Sequence, residues 1–120
     1  MRTPEIHAAA LSDEWGMDPS VRAMRRVFAA MEAGQKNVLA ALGLSPLDMR
    51  LRRWRERALA AFDAAWARSA RTGLELSEAE AGILYVLCLG TIISREGVEV
   101  PHERLPRSEK LQEILKEVFP

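Results

Sequence analysis

The stretch AGILYVLCLGTII, residues 81–93, constrains this chain more than any other feature. As a helix it points Ile83, Leu84, Val86, Leu87, Leu89, Ile92 and Ile93 in nearly every direction, so it has no solvent face to offer. It also stops short of the roughly 18 apolar residues that suggest a membrane span. Just ahead of it, Ser77 and Glu80 make the S-x-x-E pattern, in which each side chain satisfies an otherwise unpaired backbone N–H at a helix start. A central helix over 78–95 is therefore expected, and the rest of the chain must wrap around it. Gly82 and Gly90 lower its helix propensity, which points to close approach by a neighbouring helix or bulky ring.

The flanking segments carry helix punctuation. Asp18-Pro19-Ser20 offers an N-cap and a first-turn proline, and Val21, Met24, Phe28, Met31, Val38 and Leu42 follow at helical spacing until Gly43, which suits a left-handed terminus. Gln35 interrupts this otherwise apolar, coiled-coil-like seam. Ser45-Pro46 repeats the opening signal, predicting a second helix over 46–72 on a stripe of Leu47, Leu51, Trp54 and Ala58. With so short a connection the helices over 18–42 and 46–72 should fold back as a long antiparallel hairpin. Residues 97–107 read as a connector with two prolines, and Ser108 caps a last helix over 108–119 with Leu111, Ile114, Leu115, Val118 and Phe119 on one face. The expected fold is all-α: a four-helix bundle-like domain over 18–120, built on that hairpin, preceded by an N-terminal arm at 1–17 in which Trp15 is an anchor.

The composition, 48% hydrophobic and 28% charged, is that of a globular rather than a disordered chain. No signal peptide is recognisable at the N-terminus, and a single cysteine, Cys88, suits a reducing compartment. The cytoplasm is the expected location.

Charge is unevenly laid out although the formal net charge is zero. Residues 1–20 carry one basic and four acidic side chains, residues 21–72 eleven and four, residues 73–120 five and nine. Within RLRRWRERA (50–58), Trp54 belongs to the apolar stripe, while Arg50, Arg53 and Arg57, continued by Arg68 and Arg71, form a ridge beside it. Two readings of the ridge compete. It pairs with the acidic C-terminal half, or it faces an anionic partner such as nucleic acid.

Several chemistries lack their residues. His7 and His102 are the only histidines, no H-E-x-x-H pattern occurs, and Cys88 lies in an apolar run away from any basic neighbour. There is no G-x-S-x-G motif and no P-loop. No catalytic, cofactor or metal site is predicted, and an enzymatic role is not the expectation. The leading reading is a protein–protein interaction module of assembly, adaptor or regulatory type, with a protein partner or homo-oligomer and no membrane. Its candidate apolar interface is Leu59, Phe62 and Trp66, displaced to one side of the second helix's stripe. Nucleic-acid binding through the arginine ridge is the alternative.

Overall fold

The structure, a computed structural model, describes residues 18–120. The arm expected at 1–17, Trp15 included, lies outside the described residues. Among the described residues four α-helices follow one another: α1 (Pro19–Leu42), α2 (Leu51–Arg71), α3 (Glu78–Arg95) and α4 (Glu109–Val118), with a short 3-10 turn at His102–Arg104 between the last two. No strand occurs among the described residues, and none of their helices is long and apolar enough to cross a membrane.

Local chemistry explains most of the boundaries. The Asp18 carboxylate accepts the Ser20 amide at 2.8 Å, with Pro19 in the first turn where no N–H is needed. Gly43, at φ 67°, ends α1 by letting its own N–H and that of Leu44 return to Ala40 and Leu39. Ser77 and Glu80 form the reciprocal capping box, at 3.0 and 3.1 Å. Ser108 receives the Leu111 amide at the start of α4.

The second helix departs from expectation: it begins at Leu51, not at Pro46. Ser45 does accept a backbone N–H, that of Leu47 at 3.0 Å, but it closes only a turn. Asp48 then takes both the backbone amide and the guanidinium of Arg50, and these contacts hold its carboxyl down at about 2. Such local side-chain bonds compete with helix propagation, so the ladder starts only after Asp48. Leu47 consequently drops off the predicted stripe and stands 88% exposed, while Leu51, Trp54 and Ala58 are buried as expected. The connection is thereby lengthened to residues 43–50, which gives α1 and α2 room to separate. Each rests mainly on α3 rather than on the other.

The core forms around α3, of which nearly every apolar side chain is buried. Close helix approach occurs where glycine removes a side chain. A Cβ on Gly82 would lie 2.8 Å from the Ala30 side chain and 3.3 Å from its backbone, and one on Gly34 would run into Val86. The polar break in the α1 seam is also resolved within the chain: the Tyr85 hydroxyl donates to Gln35 Oε1 at 2.7 Å. Cys88 is sealed in this core, and burial pushes its thiol up to about 12.

Candidate functional site

On α2, Leu51, Trp54, Ala58, Phe62, Ala65 and Ser69 face inward at three- and four-residue spacing. Beyond Trp54 that stripe is dominated by small residues, and its flanks carry more alanine, so the C-terminal half of α2 fills less space than the N-terminal half. On the facing side, α1 brings Met24, Val27, Phe28 and Met31. Between them lies an open groove of about 900 Å³, with Leu76, Ser77, Glu78 and Ala79 closing the end where α3 begins. Val27 and Met31 are buried at its base with Phe62.

Large apolar side chains stay wet along this groove. Phe28 is 53% exposed, Met24 54% and Trp66 39%, while Leu59 and, on the neighbouring α1 edge, Val21 add to the patch. The remaining large exposed apolar residues among the described ones, Leu47 and Met49, sit on the connector. Trp66 is positioned by Phe62, its ring centroid 5.7 Å away, and Phe62 is braced in turn edge-on by Tyr85 at 6.5 Å. The aromatic wall is thus preorganised from the core outward. Asp63 and Ser20 contribute polar groups to the lining, and Glu78 is tied to Arg26 across a 2.7 Å ion pair joining α1 to α3.

Leu59, Phe62 and Trp66 all line the groove, with one difference from the expected interface: Phe62 is 7% exposed and serves as floor rather than contact surface. Sequence reasoning missed the α1 wall. Met24 and Phe28 read as members of one coiled-coil-like seam from Val21 to Leu42, whereas burial on α1 is concentrated at Val27, Met31, Val38 and Leu39.

The arginine ridge meets carboxylates of the same chain. Arg53 pairs with Glu96, Arg57 reaches the same carboxylate at 3.4 Å, and Arg68 donates to Glu117 at 2.8 Å. Arg50 pairs with Asp48 and lies over the Trp54 ring at 4.8 Å. Glu96 also accepts the Trp54 indole N–H at 3.3 Å. That bond first, then the one from Arg53, holds its carboxyl below the ordinary range. Arg71, at the end of α2, is exposed. Glu96 therefore does two things: it satisfies the polar atom of a fully buried tryptophan and neutralises two ridge arginines.

A second hollow of about 560 Å³ lies between α3, the 102–108 connector and α4, beside His102 and Arg107. Of its polar residues, Ser108 is engaged in capping α4 and Thr91 donates to the Leu87 carbonyl. No group of His, Cys, Asp and Glu side chains capable of holding a metal occurs among the described residues.

No protein-family model matches the sequence, and no curated protein and no solved structure matches it either.

Proposed function

We propose that this protein is a helical interaction module that captures the apolar face of a partner helix in the groove between α1 and α2. The observation that carries the reading is the gathering of Met24, Phe28, Leu59 and Trp66, all solvent-exposed, on one groove of about 900 Å³. Contiguous exposed apolar surface of this kind marks interaction sites. Methionine and aromatic side chains supply adaptable, high-area contacts for a helix. On this reading α1 and α2 are the antiparallel arms of a hairpin splayed at one end, early α1 facing late α2.

Two further features favour a helix as occupant. The α1 wall runs from Ser20 to Met31, which at 1.5 Å per residue is about 16 Å, or three helical turns, the span that i, i+3/i+4, i+7 anchors require. Both side walls are α-helices whose interior N–H and C=O groups are internally bonded, so they give an extended strand no backbone edge to pair with. Nucleic-acid binding is the weaker reading, because phosphates would have to displace Asp48, Glu96 and Glu117 from the ridge.

A fluorescein-labelled synthetic amphipathic helix of leucine, glutamate and lysine, titrated with the full chain and followed by anisotropy, tests the proposal. Saturable binding weakened tenfold or more by Phe28→Ala and by Trp66→Ala is expected, as for aromatic anchors at the centre of a contact. Absence of binding, or binding indifferent to both substitutions, overturns it.

A further inference from the structure

We infer that the helix this groove receives is α1 of a second copy of the same chain, packed antiparallel on its counterpart about Phe28; the inference rests on the groove reading above. The α1 edge is itself the apolar helix face that such a groove needs. Val21, Met24 and Phe28, spaced by three and four residues, form an exposed row along the groove's own α1 wall, Met24 and Phe28 within the groove and Val21 at its edge.

The charges beside that row select the partner and its direction. Arg25 and Glu32 are seven residues apart, so they occupy the same flank of the row. Both are exposed, and neither enters an ion pair among the described residues. Arg25 lies three residues before Phe28 and Glu32 four residues after it, about 4.5 Å and 6 Å along the helix axis. A two-fold axis through the Phe28 level reverses one helix. Each Arg25 then comes within about 1.5 Å, measured along the axis, of Glu32 of the other copy. Symmetry makes this contact twice, as an isologous interface requires. A parallel two-fold arrangement would turn this flank of each copy against the opposite flank of the other, so Arg25 and Glu32 would not meet. The same face is thus self-complementary when antiparallel and gains no such pairing when parallel. Gln35, the polar residue of the seam, takes no part in this contact, because Tyr85 already occupies it inside each chain.

Charge reversal separates this inference from the groove reading. In the homodimer of Arg25→Glu, two carboxylate pairs face each other, and in that of Glu32→Arg, two guanidinium pairs do. Each variant alone should dimerise about tenfold more weakly than the parent chain, given the modest worth of exposed pairs. Mixed together they should form the heterodimer preferentially, since each copy then meets its opposite charge at both positions. The double variant Arg25→Glu/Glu32→Arg should regain parental affinity. Sedimentation equilibrium and native mass spectrometry of isotopically distinct copies read all three. A chain that stays monomeric at every concentration, yet binds the synthetic helix through Phe28 and Trp66, overturns the second-copy inference and leaves the groove reading standing. A dimer insensitive to these reversals also overturns it. If neither dimer nor peptide binding is found, both readings fall.

Discussion

Gly82 and Gly90 both lie in α3, and replacing each by alanine should move stability in opposite directions. The shared contribution is helix propensity, which favours alanine over glycine by about 1 kcal/mol in a helix interior. The difference lies in what the new methyl group meets. At Gly82 it would sit 2.8 Å from the Ala30 Cβ, with the Ala30 carbonyl carbon and oxygen at 3.3 and 3.4 Å, so α1 itself would have to move. Forcing a methylene into a closely packed core costs about 1–3 kcal/mol, and here no rotamer change relieves the contact. The net loss expected for Gly82→Ala is therefore up to about 2 kcal/mol. At Gly90 the nearest atom is the Leu105 Cδ1, 3.1 Å away, the free end of a half-buried side chain that can swing aside. Gly90→Ala should therefore stabilise, by up to about 1 kcal/mol.

Urea titrations with unchanged slope read both effects as midpoint shifts, and each kcal/mol moves the melting temperature by roughly 4–8 °C in a domain near 100 residues. A double-mutant cycle adds a sharper test. Ala30→Gly removes the Cβ that Gly82→Ala strikes, so the pair together should cost less than the sum of the singles. If Gly82→Ala raises stability by the full propensity difference, α1 and α3 do not approach as described and the core account is wrong.

Tyr85→Phe leaves the Gln35 carbonyl oxygen without its donor and should cost about 1 kcal/mol; a cycle with Gln35→Leu should show coupling between the two positions, and additivity would deny the bond. Acid should weaken the fold in a defined window. Asp48, Glu80 and Glu96 have carboxyls lowered in the folded state, so their stabilisation is complete above the ordinary carboxylate range and is lost as pH falls through the folded values, for Asp48 near 2. Glu96→Gln should flatten the urea midpoint as pH falls through and below the ordinary carboxylate range; an unchanged profile would remove Glu96 from the explanation. Cys88, with its thiol raised to about 12 by burial, should ignore an aromatic disulfide reagent at slightly alkaline pH until the chain is unfolded, and then react fully. Rapid labelling of the folded protein would place it outside the core.

What the sequence revealed and what it hid divides along the range of the interactions. Asp18, Gly43, the Ser77/Glu80 box and Ser108 act on backbone groups a few residues away, and their helix ends fall where local chemistry puts them. The start of α2 was misjudged for an equally local reason. Asp48, sitting where a helical residue was expected, bonds the Arg50 amide and holds a turn that Ser45-Pro46 alone would not suggest. The charge imbalance between the two halves was legible as a count, but its resolution was not. Glu96 and Glu117 lie 39 to 49 residues from the arginines they meet, a distance over which no periodicity reports. The groove illustrates the same limit. Val21, Met24 and Phe28 share the spacing of Val38 and Leu42, and only the path of α3 beneath α1 decides which part of the row is covered.

The groove as docking surface is the central claim, and the methionine methyl groups report on it most directly. Met24 and Met31 line the groove, while Met49, 94% exposed on the connector, provides an internal control. Carbon-13 methyl spectra of the full chain would be recorded through a dilution series and again on addition of the synthetic amphipathic helix. The account predicts that Met24 and Met31 shift saturably in both series while Met49 holds its position. Methyl resonances of Met24 and Met31 that stay fixed under both titrations, or that move no more than Met49, would contradict it.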